Sequence, residues 1–349
     1  MSPPPPPQPK RRRGFAPFVV AIIIAGSLIV ALRTLVGGGG GHGGDRSPEA
    51  RRSACPEGAI TLNITVSSEK AELLRTMAEA YSGREVNGRC AEVVVNPKAS
   101  GSAMLALARG WDERRDGPKP DVWTPASSGW IAMLQRRAAD NDRASLVSAD
   151  NPSIATSPLV IAMPKPMAEA LGWPDKKIGW SDILSLANDP EGWAKYGHPE
   201  WGRFRLGKTN PHFSTSGLNA TIGTYFAATG LSGDLGEANL ADRRTRDFVR
   251  GVERSIVHYG DTTLTFLSNL QEADDAGVAL SYVSAVAVEE KSVWDYNQGN
   301  PTGDPRTLGK HPKPKVPLVA IYPKEGTLLS DNPYAVLSWI DPEKKPVAE

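Results

Sequence analysis

The sequence predicts an α/β ectodomain behind one N-terminal transmembrane helix, and three observations carry that expectation. Apolar, β-branched runs alternate three times in succession with stretches of helical periodicity between residues 59 and 137, the pattern of a parallel sheet flanked by helices. The uncharged run GFAPFVVAIIIAGSLIVAL occupies residues 14–32. The formal net charge of +1, from 40 Lys/Arg and 39 Asp/Glu, hides an asymmetry. Eight Lys/Arg against three Asp/Glu in residues 1–57 leave +5 there and −4 in the rest. So balanced a chain is not one that coats nucleic acid. Its 40% hydrophobic content puts it among globular rather than disordered proteins.

Pro3 to Pro7 each lack an N–H and fix their own φ, so the first residues form an extended tail. Lys10 to Arg13 then make a basic cluster. From there to Val36 a helix rising about 1.5 Å per residue reaches about 30 Å, the thickness of a bilayer core. Basic residues before a first span hold that end in the cytoplasm, so the remainder is expected outside the cell membrane. A cleaved signal peptide shares the basic start and apolar middle, but no small-x-small cleavage site follows this run. The expected order is a cytoplasmic tail (1–14), a single-pass transmembrane helix (15–36) and a Gly-rich tether (37–57).

Cys55 and Cys90 are the two cysteines, each just ahead of an apolar run, Ala59–Val66 and Ala91–Val95. If those runs are neighbouring parallel strands, the cysteines start both at one sheet edge. A disulfide there is expected to persist on the outer side. Two buried thiols are the alternative, and without a histidine cluster the pair makes a poor zinc site.

The strand 59–66 leads through Ser67-Ser68 into EKAELLRTMAEAYSG, and 91–95 leads through Asn96–Gly101 into SAMLALARG. Asp121-Val122-Trp123 leads through Thr124–Ser128 into GWIAMLQRR. Further on, 157–163 reads as a buried strand and WSDILSLA as a helix. A strand at 203–207 runs through KTNPHFSTSG into LNATIGTYFAATG. Helical patterns follow at 242–254 and 262–273, then a strand at 277–282, a helix at 283–296, a polar loop at 300–315 and a buried strand at 317–322.

Parallel sheets bind ligands beyond the carboxyl ends of their strands, and four of the turns there are rich in hydroxyls. They supply the candidate ligand-binding residues: Ser67 and Ser68; Ser100 and Ser102; Thr124 and Ser127; Ser214, Thr215 and Ser216. Free N–H groups at a helix start beside a hydroxyl cradle an oxyanion, although Ser and Thr also serve there as ordinary N-caps. Tyr282, at the end of the 277–282 strand, joins them as a candidate.

These segments, with DVWTPASSGW, TSPLVIAMPK and VPLVAIYPKEGTLLSDNPYAVL, resemble the bacterial extracellular solute-binding proteins of the two-lobed, two-crossover (type II periplasmic-binding-protein-like) kind that includes molybdate and sulfate binders. The resemblance covers about residues 58–349 and is strongest to membrane-anchored actinobacterial forms, often followed by a von Willebrand factor A domain. It implies lobe one at 58–158 and 318–349, lobe two at 159–317, and hinges at the 157–163 and 317–322 strands. The first three turns then line one wall of a cleft and Ser214–Gly217 the other, with family weight on Ser68, Ser102, Ser127 and Ser216. It also implies a small-molecule solute, oxyanion or sugar-like, a transporter permease or envelope protein as partner, no nucleic acid, no cofactor, no metal and no catalysed reaction. The alternative is an adhesion or sensing module of the envelope that recognises a protein or polymer. The chain stops at Glu349 in what reads as the start of lobe one's closing helix, so a fragment or a departure from the family pattern is expected.

Other motifs point to bland readings. Gly202–Thr209 satisfies G-x-x-x-x-G-K-T, yet its interior alternates like a strand and Asn210-Pro211 follows, where a phosphate loop opens a helix. No GxSxG or HExxH is present, and a hydrolase built on a turn serine needs a histidine beside it. Asp274-Asp275 with Glu272 read as a solvated helix end rather than a calcium site. His212 reads as a solvated loop histidine. Trp123 and Trp130 are the tryptophans closest to the expected cleft, where a sugar would need a stacking face.

Overall fold

The computed structural model describes Cys55 and residues 58–138, 146–148 and 150–349, all within the compact unit formed by residues 53–349. The expected tail, membrane span and tether lie outside the described residues, Cys55 excepted. Among the described residues no helix is long and apolar enough to cross a membrane. The strands in chain order are β1 (Ile60–Val66), β2 (Glu85–Val86), β3 (Arg89–Pro97), β4 (Val122–Thr124), β5 (Ser157–Pro164), β6 (Leu206–Thr209), β7 (Ile256–Gly260), β8 (Ala285–Glu289), β9 (Leu318–Ile321), β10 (Leu329–Ser330) and β11 (Ala335–Val336). The longer helices are α1 (Ala71–Tyr81), α2 (Ser100–Arg109), α3 (Ser128–Ala138), α4 (Trp180–Asn188), α5 (Thr215–Thr229), α6 (Arg243–Arg254), α7 (Thr263–Asp275) and α8 (Glu290–Asn297).

The first sheet has the order β11-β4-β1-β3-β2. β1 is parallel to both β3 and β4, so the turns after Val66, Pro97 and Thr124 open at one edge. The pleat of β1 sends Ile60, Leu62, Ile64 and Val66 to a core shared with Leu74 and Ala78 of α1. The opposite face packs Trp123 against Met104 and Leu107 of α2 and Trp130 and Leu134 of α3. Burial on both faces explains why these strands read as nearly continuous apolar runs.

The second sheet runs β10-β5-β8-β6-β7, with β9 also on β5. Along β5, Leu159, Ile161 and Met163 enter one core, with Trp180 and Ile183 of α4. Val160 and Ala162 enter the other, with Phe266 and Leu270 of α7. β6 is parallel to β7 and β8, placing Thr209, Gly260 and Glu289 at one edge.

Several boundaries differ from expectation. Residues 277–282 wind into a helical turn, Ala279–Tyr282, and the strand is Ala285–Glu289. Val283 and the alanines and valines that follow are buried on both sides, and a run of that kind has no strand-or-helix period of its own. Ile256–Gly260 is a strand the sequence reading missed. Leu318–Ile321, expected with lobe one, pairs antiparallel with β5 in the second sheet. The return to the first sheet comes later, between Ser330 on β10 and Ala335 on β11. The outgoing and returning segments meet at a bridge between Ser153 and Pro333, so the crossings lie there rather than in the 317–322 strand.

Lys208 and Thr209 end strand β6 instead of opening a helix, and the Lys208 ammonium is held by Glu253 and Thr221. The phosphate-loop pattern is therefore a coincidence of spacing. Asp274 is 2% exposed, and its carboxylate accepts the Lys315 and Val316 N–H groups at 2.7 and 2.9 Å, which fastens the start of the returning segment.

Cys55 and Cys90, 35 positions apart in sequence, form a disulfide with Cα atoms 5.6 Å apart. It ties the chain ahead of β1 to β3. A loop of that length restricts the unfolded chain by about 3–4 kcal/mol. Reduction should therefore lower the urea midpoint of unfolding without changing the folded circular dichroism. Identical midpoints in oxidised and reduced protein would show that the bridge contributes nothing.

Candidate functional site

The carboxyl-end edges of the two sheets face each other, and the turns that leave them are in direct contact. The Gly101 N–H, at the start of α2, donates to the Phe213 carbonyl at 3.0 Å across the gap. A Cβ at residue 101 would lie 1.9 Å from the His212 carbonyl oxygen, so only glycine permits this approach. The Trp130 indole N–H donates to the Thr215 hydroxyl at 2.8 Å, a second bond between the walls.

Nine of the ten hydroxyl candidates lie on the four turns that leave these carboxyl-end edges. Ser67, Ser100, Thr124, Ser127, Ser214, Thr215 and Ser216 are all at most 7% exposed, and Ser68 and Ser102 are half-buried. Ser127 acts as a cap, accepting the Gly129 N–H at 3.2 Å. Ser100 accepts the Ala126 N–H at 3.1 Å and so joins the second and third turns. Ser214, at the start of α5, caps nothing and accepts instead from Thr209 at 2.8 Å. Ser216 lies 3.0 Å from the Thr263 hydroxyl, which links the starts of α5 and α7. The Thr124 hydroxyl is 0% exposed and has no hydrogen-bond partner.

Tyr282 is not with them. It sits at the opposite edge of the second sheet, ahead of β8, stacked on His258 with ring centroids 4.3 Å apart. The strand once read as ending there instead ends at Glu289, which takes the place at the cleft that Tyr282 was expected to hold. Trp123 and Trp130, 1% and 0% exposed, are core side chains and offer no stacking face.

What the sequence reading missed is charge. Glu69 and Lys70 follow Ser67-Ser68 in the first turn, and Glu289 ends β8. The Lys70 ammonium is 2.8 Å from both the Pro125 carbonyl and the Asn332 side-chain oxygen. The Glu289 carboxylate, 4% exposed, accepts from Ser330 at 3.0 Å, and the Ser216 hydroxyl also stabilises its charged form. Asn219 of α5 reaches Ser330 at 3.4 Å. Lys291, paired with Asp295 at 2.5 Å, touches the Glu69 carbonyl at 3.3 Å. The cluster thus draws on the first wall, the second wall and the returning crossover. Burial and the neighbouring Glu69 push the Glu289 carboxyl up to about 7, and burial likewise raises Glu69. Burial brings Lys70 down to about 7 against the pull of Glu69, Glu289 and Asp331. A signal was available for Glu289: in AVAVEEK an apolar strand gives way to acids at a helix start.

The chain belongs to the bacterial extracellular solute-binding proteins, whose family model matches residues 62–349. Among solved structures, a periplasmic thiamin-binding protein shares 10% identity over 84% of this chain and 77% of its own, at a TM-score of 0.52. The sulfate-binding protein SubI from Mycobacterium tuberculosis H37Rv shares 16% over 83% and 79%, at 0.49. The fructose-6-phosphate-bound AfuA from Actinobacillus pleuropneumoniae shares 14% over 82% and 78%, at 0.49. No curated protein matches the sequence. Together with the two sheets and their two crossings, the family match and the likeness to the thiamin-binding protein define a two-lobed periplasmic-binding-protein-like fold.

Two outcomes follow from the contact. Gly101→Ala cannot keep the walls together, because the clashing atoms are backbone, so small-angle X-ray scattering should show a larger radius of gyration with unchanged circular dichroism. Identical scattering would mean that the lobes do not meet at this residue. Glu289 is raised in the folded state, which then binds more protons than the unfolded chain. Its contribution is full below its ordinary range, near pH 4.5, and is lost as pH rises to about 7. Urea titrations across that window should show this fall in the native protein and a shallower one in Glu289→Gln. Equal slopes would show that the carboxyl is not buried in the folded protein.

Proposed function

We propose that this protein is a membrane-anchored, extracytoplasmic solute-binding protein that captures a small polar solute between its lobes and catalyses no reaction. The observation that supports it most is the meeting of hydroxyl-rich turns from both sheets at one buried contact, bridged by Gly101–Phe213 and Trp130–Thr215. Closure of two lobes about a hinge buries a ligand that each wall alone only half covers. The hydroxyls by themselves suit an oxyanion or a sugar-like solute, while the buried Glu289 and half-buried Glu69 carboxylates beside them oppose a dianion. Among the described residues no histidine ring is hydrogen-bonded to Ser68, Ser102, Ser127 or Ser216, which supports a binder over a hydrolase.

Anchoring rests on the apolar run at 15–36 and its basic flank, and the domain order on the division 1–14, 15–36, 37–57 and the two lobes after it. Lobe two takes in the 318–321 strand. The segments DVWTPASSGW and VPLVAIYPKEGTLLSDNPYAVL favour the membrane-anchored actinobacterial subgroup that often carries a von Willebrand factor A domain. A transporter permease is the partner such a binder serves.

A captured solute raises stability by RT ln(1 + [L]/Kd), about 2.7 kcal/mol at one hundred times Kd. A thermal-shift screen of small polar solutes should therefore find at least one that raises the melting temperature. Ser216→Ala should weaken that solute about tenfold while leaving the unliganded melting temperature near the native value. No shift with any small solute would favour an envelope module that recognises a protein or polymer.

A further inference from the structure

Among the described residues, neither Glu69 nor Glu289 has an ion-pair partner, although both stand at the contact between the lobes, one from each wall. Glu289 is met by hydroxyls, from Ser330 and Ser216. The ammonium groups nearby are occupied: Lys70 by two neutral oxygens, Lys291 by Asp295. Ser67, 1% exposed, comes close enough to the Glu69 carboxylate to favour its charged form, yet its hydroxyl makes no well-formed hydrogen bond. Lys70 and Lys291 act on Glu69, and Lys70 on Glu289, from beyond ion-pair distance. Glu289 is buried and Glu69 half-buried, and a carboxylate so placed without a paired cation is costly, a cost relieved by a proton or by a cation. With both carboxylates ionised and Lys70 protonated, these three side chains together carry one net negative charge; Asp331, which also acts on Lys70, has its own donor in the Ser128 N–H.

Building on the solute-capture reading, we infer that the cleft takes a solute with a singly cationic head group, an ammonium or its equivalent, which docks between Glu69 and Glu289. The hydroxyls of Ser67, Thr124 and Ser216 then serve the solute's polar remainder. One positive charge brings the three-residue cluster to neutrality, whereas a dianion faces two carboxylates in a water-poor contact where charges are weakly screened. Lys70 sets the limit. Its own charge, fixed on Pro125 and Asn332, makes a second cationic group on the solute unfavourable, so selection is for one.

The test is calorimetric titration of the full-length protein at pH 7, where Lys70 keeps charge, with three probe sets: choline, ethanolamine and betaine; sulfate and molybdate; glucose and maltose. The inference expects binding from the first set alone, weakened at least tenfold by Glu289→Gln and, independently, by Glu69→Gln from the other wall. Circular dichroism of both variants separates this loss from misfolding. Neutralising a carboxylate weakens a cation and strengthens an anion, whereas simple structural damage weakens both. Binding of the anions, strengthened in the variants, would overturn the cationic assignment and leave solute capture standing, and so would binding of the sugars unaffected by either variant. Binding from no set would overturn the inference together with the capture reading.

Discussion

The structure turns on one constraint: two sheets, each with its ligand-facing edge at the carboxyl ends of parallel strands, press those edges together. At that contact Gly101 meets the His212–Phe213 backbone, and Trp130 reaches Thr215. Both are arrangements that only a closed pair of lobes can make. The contact also encloses charge. Lys70 and Glu289 are buried there and Glu69 half-buried, and that burial shifts all three away from their ordinary titration ranges. Closure is therefore opposed by desolvation as well as favoured by hydrogen bonds, and a solute that answers the charge tips the balance.

The placement of the cluster links it to the crossing segments. Ser330, which donates to Glu289, and Asn332, which receives Lys70, lie on the segment returning from the second sheet to the first. Asn332 also donates to the Ala155 carbonyl on the outgoing segment at 3.3 Å, close to the Ser153–Pro333 bridge. A charge change at the contact is thus felt by both crossing strands. Two-lobed closure needs a coupling of this kind, in which the ligand acts on the residues that bend.

Much of this was legible in the sequence. The parallel first lobe followed from three strand-turn-helix units, because strands buried on both faces and helices with one apolar face leave distinct periods. The disulfide followed from two cysteines placed ahead of neighbouring strands. The hydroxyl turns followed from the rule that parallel sheets present their carboxyl ends to ligands. The failures have physical causes too. From 278 to 288 the sequence is apolar apart from Ser281, Tyr282 and Ser284 and carries no clear period, so the boundary between helical turn and strand was ambiguous and Tyr282 stood in the place of Glu289. The return crossing was misplaced because β9 is as apolar as a lobe-one strand and its pairing with β5 is non-local. The charged cluster was missed because Glu69 and Lys70 look like ordinary helix-start residues until a second wall closes over them.

Native mass spectrometry of the full-length protein, purified without added ligand, tests the central claim most directly. The account predicts a retained small molecule with a single cationic head group, present in the native protein and lost from Glu289→Gln. A retained dianion, or the same molecule held equally by both proteins, would contradict it.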